Sequence, residues 1–425
     1  MKRICLKPLQ GPVAATVAIP GSKSYTNRAL VMAALTEGPV IVRNMLVSDD
    51  TIAMLDCLRT LGIRCDEAQG QVAVVGDISD VVEGNYDLDV NLSGTTIRFL
   101  LPLACIVPGT KTLFGRESLN KRPIADLVDG VRQAGAQVEY GGFPPLRITS
   151  SAFTNKIVSM NGDVSSQYFS ALLMIAPAVD GLTIAVVGEQ ISKPYIDMTI
   201  GTMEEFGVAV KNEDYARYVV AAGQRYSKSE YVVEGDVSSA SYFAAIAALT
   251  GSTITLTNMN PESRQADMGF FRILETMGHA VEKGPGALTI RGTGLIKPVS
   301  VDMEGCPDQA QTLAVLAAFA DGVTHISGVR SLRVKETERV VAVERELAKM
   351  GIRTESTNDT LTIHGGNPAP AAIDTYHDHR MAMSFAVAGT KLAGMVINEP
   401  DVVGKTFPTF WEKLQSLGMQ LERQG

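Results

Sequence analysis

The chain lacks the cysteine and histidine patterns that disulfide scaffolds and zinc sites require. An odd number of cysteines without motif spacing predicts reduced thiols in a reducing compartment. Only His377 and His379 lie close together among the five histidines, and no cysteine pair accompanies them, so a zinc site is not expected. The five cysteines are scattered, with no CxxC pair: Cys5, Cys57, Cys65, Cys105 and Cys306.

Long apolar runs and a basic excess are also missing. The most apolar stretch, Phe99 to Val107, is far too short to span a bilayer. The N-terminal segment has two early basic residues but no apolar run of signal-peptide length. Formal net charge is −8, so nucleic acid is not the expected partner, although a local cationic cluster can still bind a small anion. We therefore expect a soluble, cytoplasmic protein without a membrane partner.

The composition is otherwise that of a globular protein. The sequence also contains a sixfold repeat. At 425 residues the chain predicts two domains rather than one core. Six times a helix-like segment ends in an apolar residue plus glycine, followed by a short strand-like segment. Glycine suits the position just past a helix because it adopts φ > 0 without a Cβ clash. The six glycines are almost evenly spaced: Gly62, Gly135, Gly207, Gly278, Gly351 and Gly418.

A second series of apolar helices runs in phase with these glycines. Helices that are apolar on most faces must be buried, and Val/Ile/Thr-rich strands lie between them. Each repeat therefore predicts a β/α unit with one buried and one amphipathic helix. Six units divide into three plus three, with the join near Glu234, and the N-terminal strand could cross back into the second domain. The helices are SKSYTNRALVMAAL, SGTTIRFLLPLA, SSQYFSALLMIA, SSASYFAAIAAL, PDQAQTLAVLAAF and DHRMAMSFAVAG.

The starts of these buried helices indicate an anion site. A helix N-terminus has unpaired N–H groups and roughly half a positive charge, which together attract anions. Ser, Thr and Asp there are also ordinary N-caps, and either role fits. Anion binding gains support from basic residues inside otherwise apolar strings, because a bare buried charge is costly. Those residues are Lys23, Arg28, Arg98 and Arg380, with Arg122, Lys335, Arg339 and Lys405 near the outer helices.

At these strings the chain resembles the 5-enolpyruvylshikimate-3-phosphate (EPSP) synthase family, the 3-phosphoshikimate 1-carboxyvinyltransferases. The resemblance implies an inside-out α/β barrel fold, with six βαβαββ repeats arranged three per domain and the active site between the domains. It places one domain at residues 20–234 and the other at 1–19 plus 235–425. The shared motifs, in order, are PGSKSYTNRAL, SGTTIR, KRPI, GDVSSQYFSALLM, SKPYIDMT, VEGDVSSASYF, PDQAQT, LRVKETER, DHRMAM and KTFP.

The resemblance also implies two small-molecule substrates, phosphoenolpyruvate and shikimate 3-phosphate, and no metal or other cofactor. The first domain is expected to hold mainly shikimate 3-phosphate, and the second to close over phosphoenolpyruvate. The residues expected on shikimate 3-phosphate are Lys23, Ser24, Arg28, Ser165, Ser166, Gln167, Ser192, Tyr195, Asp308, Ser331 and Lys335. Those expected on phosphoenolpyruvate are Lys23, Gly94, Arg122, Gln167, Arg339, Arg380 and Lys405.

Addition followed by elimination requires two proton-transfer groups. We expect Asp308 to accept the proton of the 5-hydroxyl, and Glu336, with Lys23 as the alternative, to give and retrieve the C3 proton. Lys335, Glu336 and Arg339 are expected to share one helical face; alternatively, the ETER string forms an exposed helix with simple ion pairs. Cys306 is interpreted as a buried small residue rather than a nucleophile.

Three positions depart from the family pattern. Leu92 replaces an Asn that often precedes the SGT turn, Phe99 replaces a Pro, and Ser331 replaces an Asn near the shikimate phosphate. We hypothesise that Phe99 alters the packing of the Gly94 turn, and with it the sensitivity to glyphosate, which the family binds in the phosphoenolpyruvate site.

Three alternatives stay open. UDP-N-acetylglucosamine enolpyruvyl transferase has the same fold and chemistry, but it uses a loop Cys that the segment GRESLNKRPI lacks. A catalytically silent repeat or binding protein is the second, and the intact charged residues oppose it. RNA 3′-phosphate cyclase uses a related repeat, and the acidic charge opposes it. EPSP synthases are usually monomers, which is the expectation here.

Overall fold

The chain forms two compact units. The computed structural model describes residues 2–68, 70–76 and 78–424, and all of their side chains except those of Ser118 and Lys121. One unit is Gly21–Val233, called here the central unit; the other combines Met1–Pro20 with Glu234–Gly425 and is called the terminal unit. Among the described residues, every helix is too short or too polar to cross a membrane.

The strands are short and are numbered in chain order. They are β1 Arg3–Lys7, β2 Ala14–Ala18, β3 Val40–Arg43, β4 Arg64–Ala68, β5 Gln71–Val75, β6 Asn85–Asp89, β7 Thr110–Phe114, β8 Gln137–Glu139, β9 Leu146–Thr149, β10 Ile157–Asn161, β11 Leu182–Val187, β12 Lys211–Glu213, β13 Arg217–Val220, β14 Glu230–Val232, β15 Thr253–Thr257, β16 Ala280–Gly284, β17 Ala287–Arg291, β18 Ser300–Asp302, β19 Val323–Ser327, β20 Arg353–Ser356, β21 Thr360–His364, β22 Ala372–Ile373, β23 Met395–Asn398 and β24 Gln420–Gln424.

The helices alternate between buried and half-exposed members. They are α1 Lys23–Ala34, α2 Asp49–Thr60, α3 Gly94–Ile106, α4 Ala125–Ala134, α5 Ser166–Ile175, α6 Lys193–Glu205, α7 Val237–Thr250, α8 Gly269–Thr276, α9 Ala310–Ala317, α10 Arg339–Lys349, α11 His379–Gly389 and α12 Phe410–Ser416. Short 3₁₀ helices lie at Ile78–Asp80, Glu117–Lys121, Ala176–Val179, Ala266–Met268, Pro307–Gln309, Arg330–Val334 and Pro400–Lys405.

One sheet topology recurs six times among the described residues. Each sheet has four strands, of which the first two are parallel and the rest antiparallel; in one, Ile157 pairs with Thr183 and Leu182 with Val220. The central unit holds β14-β3-β5-β4, β6-β7-β9-β8 and β10-β11-β13-β12. The terminal unit holds β2-β15-β17-β16, β18-β19-β21-β20 and β22-β23-β1-β24. The N-terminal strand therefore does cross back, because Arg3 pairs with Asn398 on one side and Gln424 on the other.

The repeat read from the glycines is confirmed. Each glycine directly follows, or lies one residue beyond, the last turn of an outer helix and adopts a positive φ that a Cβ would strain. The angles are 94° at Gly62, 112° at Gly135, 92° at Gly207, 98° at Gly278, 79° at Gly351 and 98° at Gly418.

The predicted buried helices form the two cores. α1, α3 and α5 lie in the core of the central unit, and α7, α9 and α11 in that of the terminal unit. Every residue of α11 is buried, as is α3 from Gly94 to Cys105. The outer helices bury one face only: α4 buries Leu127 and Val131 and exposes Asp129. Because the core helices begin together within each unit, their first turns supply the candidate site.

Candidate active site

Asp308 lies in the 3₁₀ helix Pro307–Gln309 and accepts hydrogen bonds from two arginines. Arg339 Nη1 donates to Oδ1 and Arg380 Nη2 to Oδ2, each at 2.9 Å. Lys335 Nζ lies 3.8 Å from Oδ1. Burial alone would raise the pKa of Asp308, but the charges of Arg380, Lys335 and Arg339 outweigh burial and hold that pKa well below its usual range. Asp308 is therefore ionised at neutral pH.

Arg339 begins α10 and connects further carboxylates. Its Nε donates to Asp378 Oδ2 at 2.7 Å, and its Nη2 donates to Glu336 Oε2 at 2.8 Å. Lys405 Nζ donates to the other oxygen of Glu336 at 3.0 Å. Burial would lower the pKa of Arg339, but the carboxylates of Asp378, Glu336 and Asp308 raise it above its ordinary value. Arg339 is 1% exposed, so this is a buried ion-pair network.

Arg380 lies in the first turn of α11 and is oriented by several groups. Asp378 caps the helix by accepting from the Arg380 backbone N–H at 2.8 Å. Arg380 Nη1 donates to the Tyr242 hydroxyl at 3.3 Å and Nη2 to Ser238 Oγ at 3.4 Å. Burial raises the pKa of Tyr242 to about 12. Six predicted site residues thus form one network, the terminal cluster: Asp308, Lys335, Glu336, Arg339, Arg380 and Lys405.

The helical face predicted for Lys335, Glu336 and Arg339 is wrong. A 3₁₀ helix ends at Val334, the backbone at Lys335 is extended (ψ −150°), and α10 begins only at Arg339. Glu338 causes this boundary because its carboxylate accepts from the Val341 N–H at 2.8 Å and caps the helix. The exposed-helix alternative is also wrong, since Arg339 is buried. The three side chains converge through the turn that precedes the helix.

Lys23 connects the start of the core helix α1 with the start of the outer helix α2 in the central unit. It follows the N-cap Ser22, whose hydroxyl accepts from the Tyr25 N–H. Lys23 Nζ lies 3.2 Å from Asp50 Oδ2. The backbone oxygen of Asp50 in turn accepts from the Thr96 hydroxyl at 3.1 Å, in the first turn of α3.

Gly94 and Arg122 fit closely together. A Cβ on Gly94 would lie 2.1 Å from Arg122 Nη1 and 2.4 Å from its Cζ. Gly94 is expected to contact phosphoenolpyruvate. The geometry gives a reason within the protein for a glycine here, because any Cβ would displace the Arg122 guanidinium from the start of α3. Arg122 belongs to the KRPI motif, in which the side chain of Lys121 lies outside the described part of the chain.

Gln167 is held in place by Arg98. Arg98 Nη1 donates to Gln167 Oε1 at 2.7 Å, and Gln167 Nε2 donates to Thr95 Oγ1 at 3.2 Å. Arg98 Nη2 also donates to the backbone oxygen of Pro123 at 2.9 Å, which the Tyr168 hydroxyl contacts as well, at 2.6 Å. We call the connected set the central cluster: Lys23, Asp50, Gly94, Arg98, Arg122 and Gln167.

The two predicted phosphate serines begin α5. Ser165 is the N-cap, and its hydroxyl accepts from the Gln167 N–H at 3.3 Å. Ser166 is the first helical residue and is buried. The capping role expected at these helix starts is therefore present. The first N–H groups of α5 lie beside it, where they suit an anion.

Arg28 is enclosed by protein groups. Its Nε donates to Thr199 Oγ1 at 2.8 Å, and its Nη atoms donate at 3.0 Å to the backbone oxygens of Ser24 and Tyr195. The Phe99 ring lies 5.3 Å below the guanidinium. Burial lowers the pKa of Arg28 to about 10. Arg28 thus ties α1 to the first turn of α6, and its direct contact with a substrate stays a prediction.

Two predicted serines lie at backbone turns. Ser192 is the N-cap of α6 in the left-handed region (φ 53°), and its backbone oxygen accepts from the Tyr195 N–H at 3.1 Å. Ser331 lies in the 3₁₀ helix Arg330–Val334, where it is half-buried. Their roles stay predictions.

None of the five cysteines forms a disulfide bond. Cys306 is buried, as the sequence analysis predicts, and burial raises the pKa of its thiol to about 12. All five cysteines are free thiols. Within the described ranges, no group of three or more His, Cys, Asp or Glu side chains is placed to hold a metal ion.

Comparison with known proteins identifies the family and the fold of this chain. Residues 9–414 match the family model described as EPSP synthase (3-phosphoshikimate 1-carboxyvinyltransferase). The chain belongs to the EPSP synthase family. A 3-phosphoshikimate 1-carboxyvinyltransferase of Sulfurovum sp. (strain NBC37-1) is 42% identical over 426 residues, 98% of this chain and 99% of the relative. One from Burkholderia vietnamiensis is 42% identical over 417 residues, 95% and 96% of the two chains.

A solved structure carries the same fold. EPSP synthase from Acinetobacter baumannii superposes with a TM-score of 0.84 at 26% sequence identity, covering 100% of each chain. The predicted family, the two-domain inside-out α/β fold and the enzyme class, a carboxyvinyltransferase, are therefore confirmed.

Within this EPSP synthase fold, three residues make contacts at the clusters that the sequence does not predict. The sequence predicts Arg98 only as one of the basic residues that support an anion site, and the structure shows its guanidinium donating to Gln167. Ser238 and Asp267 were not singled out, although both contact the Arg380 environment. Ser238 lies two residues after Asp236, the N-cap of α7, at a helix start where the sequence fits either capping or anion binding. Asp267 gave no sequence signal at all.

Proposed function

We propose that this chain transfers the enolpyruvyl (1-carboxyvinyl) group of phosphoenolpyruvate to the 5-hydroxyl of shikimate 3-phosphate, releasing phosphate, within aromatic amino acid biosynthesis. Membership of the EPSP synthase family supports this reaction. The observation that carries the residue assignment is the terminal cluster. It holds an ionised Asp308 between Arg339 and Arg380, beside Glu336.

Asp308 is the proposed acceptor of the hydroxyl proton. In the free protein its pKa is depressed by Arg380, Lys335 and Arg339 despite burial, and a carboxylate with a low pKa is a weak base. An anionic substrate that contacts these cations would offset their charge and raise the pKa of Asp308 towards the operating range. Asp308 would then become a competent base only when the substrate is bound.

Glu336 is the proposed group for the C3 proton, with Lys23 as the alternative. The hydroxyl oxygen attacks C2 of phosphoenolpyruvate while C3 gains a proton, which gives a tetrahedral ketal. The C–O bond to phosphate then breaks and C3 loses a proton, which restores the double bond as an enol ether. Glu336 is held by Arg339 and Lys405, so its carboxyl group is oriented for proton transfer. It must carry the proton that it gives to C3 in the addition, and as the resulting carboxylate it takes a C3 proton back in the elimination.

The remaining assignments are anion contacts. Planar guanidinium groups suit carboxylate and phosphate oxygens, and preorganised cations stabilise charge as phosphate leaves. For phosphoenolpyruvate we propose Lys23, Gly94, Arg122, Gln167, Arg339, Arg380 and Lys405. For shikimate 3-phosphate we propose Lys23, Ser24, Arg28, Ser165, Ser166, Gln167, Ser192, Tyr195, Asp308, Ser331 and Lys335. Residues 20–234 would bind mainly shikimate 3-phosphate, and residues 1–19 plus 235–425 would close over phosphoenolpyruvate. No cofactor is required, and a monomeric, cytoplasmic enzyme is part of the proposal.

Phosphate release tests the reaction. Purified protein with phosphoenolpyruvate should release phosphate when shikimate 3-phosphate is added and not when UDP-N-acetylglucosamine is added. Release with the nucleotide sugar alone would indicate the other enolpyruvyl transferase activity, and no release with either would indicate a silent protein.

Substitution tests the two proton-transfer residues. Asp308→Asn and Glu336→Gln should each lower kcat by about 10²–10⁴-fold, the usual contribution of a general acid or base. Asp321→Asn is the matched control, because Asp321 is exposed and lies outside the terminal cluster. An unchanged kcat for either variant would remove that residue from the mechanism.

A further inference from the structure

Ser238 lies between Arg380 and a buried carboxylate that the reaction has not yet used. Ser238 is the second residue of α7, and its hydroxyl donates to Asp267 Oδ2. The same oxygen accepts from Arg380 Nη2 at 3.4 Å. Asp267 lies in the 3₁₀ helix Ala266–Met268 and is 5% exposed. The three groups therefore form a hydrogen-bonded chain within the terminal unit.

Asp267 determines which way the hydrogen bonds of this series run. A serine hydroxyl has one proton and two acceptor sites, whereas an ionised carboxylate only accepts. The proton of Ser238 therefore points to Asp267, and its lone pairs face Arg380. Without the carboxylate, the hydroxyl of Ser238 could rotate and turn its proton towards the guanidinium.

Arg380 depends on such support because its orientation decides how it binds an anion. Its Nη2 also donates to Asp308 at 2.9 Å, and its Nη1 donates to Tyr242 at 3.3 Å. A guanidinium binds carboxylate or phosphate through two parallel N–H groups only when its plane is correctly aimed. Acceptors on both Nη atoms fix that plane.

We infer that Asp267 is a positioning residue, which acts through Ser238 to hold the Arg380 guanidinium in the orientation that binds phosphoenolpyruvate. The inference rests on the proposed function, in which Arg380 contacts that substrate. It adds two residues, neither of which touches the substrate, to the apparatus of the phosphoenolpyruvate side.

The surroundings of Asp267 do not favour a purely structural role. Its Oδ1 atom is buried and has no hydrogen-bond partner among the described residues. Burial raises the pKa of Asp267 to about 6; Asp308 and Asp236 act in the same direction, while Arg380 and the Ser238 hydrogen bond oppose them. The buried Cys306 thiol is a further neighbour. A carboxylate kept in so unfavourable a place is typical of functional sites.

A double-mutant cycle tests the route through Ser238. Asp267→Ala should raise the KM for phosphoenolpyruvate about tenfold, as expected when a hydrogen bond to a charged group is lost, and leave the KM for shikimate 3-phosphate unchanged. Asp267→Asn should have a smaller effect, because its amide oxygen can still accept the serine proton.

Ser238→Ala should also raise the KM for phosphoenolpyruvate. Adding Asp267→Ala to Ser238→Ala should then change nothing further, since coupled residues are not additive. Multiplied effects in the double variant, or equal rises in both KM values, would overturn the inference.

Two further variants distinguish this inference from a simple packing effect and from the proposed role of Arg380. Ile273→Val removes one methyl group from the neighbouring helix α8 and should lower the Tm without changing either KM. If it raised the KM for phosphoenolpyruvate as Asp267→Ala does, local packing would explain the effect and the inference would fail. Arg380→Lys should raise the KM for phosphoenolpyruvate. If it does and Asp267→Ala does not, only the present inference fails; if Arg380→Lys has no effect, the proposed role of Arg380 fails too.

Discussion

The terminal and central clusters hold their cations in different ways. In the terminal cluster each arginine bonds directly to carboxylates that are buried or partly buried: Arg339 to Asp378, Glu336 and Asp308, and Arg380 to Asp308. In the central cluster Arg98 bonds to an amide oxygen and a backbone carbonyl oxygen. The terminal cluster is therefore fixed by a network of ion pairs, whereas the described contacts of the central cluster combine one ion pair, Lys23 with Asp50, with neutral acceptors and helix starts.

Because of this difference, we expect substitutions in the terminal cluster to lower the stability of the fold and substitutions in the central cluster to weaken substrate binding. Removing one member of a buried ion pair leaves the other charge uncompensated, which costs far more than the pair itself contributes. Neutral hydrogen bonds contribute less to stability, so a change in the central cluster should chiefly alter substrate binding. A substitution in the terminal cluster should therefore mainly lower the free energy of unfolding, and one in the central cluster should mainly raise a KM.

The largest effect should come from removing the central cation of the terminal cluster. Arg339→Met keeps most of the side-chain volume but leaves the fully buried carboxylate of Asp378 without its guanidinium partner, and it removes one of the two cations that hold Glu336. We expect the free energy of unfolding to fall by about 3–5 kcal/mol, measured by urea denaturation. Arg353→Met is the matched control, because its ion pair with Glu355 is exposed and should leave the urea midpoint unchanged. An equal, small effect of both substitutions would contradict the comparison.

The second prediction uses two buried carboxylates of the terminal unit whose pKa values shift in opposite directions. Asp308 stays ionised among cations, whereas burial raises the pKa of Asp267 from 3.8 to about 6. The unfolded chain then releases the Asp267 proton at lower pH than the folded protein, so wild-type stability falls as pH rises from about 4 to about 6.

The Asp267→Asn variant should not lose stability between about pH 4 and pH 6, because its amide does not titrate. Two pKa units correspond to about 3 kcal/mol, so at pH 7 the variant should be more stable than the wild type by up to about that amount, while its KM for phosphoenolpyruvate is higher. At about pH 3.5 the two proteins should differ little in this respect. Urea unfolding at several pH values measures the difference, and a difference independent of pH would exclude the assigned titration.

The third prediction concerns the central cluster. Gly94→Ala places a Cβ 2.1 Å from Arg122 Nη1, and the flexible guanidinium must move away. We expect the KM for phosphoenolpyruvate to rise about tenfold, equivalent to about 1.4 kcal/mol. Stability should change by less than about 1 kcal/mol because alanine favours the helix. Gly141→Ala is the control, since its Cβ would meet nothing within 4 Å. A loss of stability without a change in KM would reverse the expected contrast between the clusters.

Much of the fold was readable from the sequence because the repeat has a local cause. Positive φ at a helix end requires glycine whatever the surroundings, so Gly135 and Gly351 reveal their helices directly. Burial of α3 and α11 follows from their apolar faces alone. The cations of the terminal cluster, such as Arg380, stand out as basic residues in otherwise apolar strings or near the outer helices, whereas Asp308 and Glu336 are expected only through the resemblance to the EPSP synthase family.

The contacts that were missed depend on tertiary structure. The start of α10 at Arg339 rests on the choice of Glu338 as the cap, although several nearby residues could have served. The contact of Gly94 with Arg122 joins residues 28 positions apart, and that of Ser238 with Asp267 joins residues 29 apart. Neither pair has a spacing that predicts it, so only the packed helices reveal it.

The smallest effect should distinguish two roles for Phe99 within the central unit. The sequence predicts that Phe99 alters the Gly94 turn, whereas its ring lies 5.3 Å from the Arg28 guanidinium, and this cation–π contact between two buried groups helps to hold Arg28 in place. Phe99→Leu should therefore raise the KM for shikimate 3-phosphate about threefold and leave that for phosphoenolpyruvate unchanged. Leu101→Met, a volume-conserving change in the same buried helix, controls for general packing and should alter neither KM. If instead Phe99→Leu changed only the KM for phosphoenolpyruvate, Phe99 would act on the Gly94 turn, and Arg28 would not need the ring for its orientation.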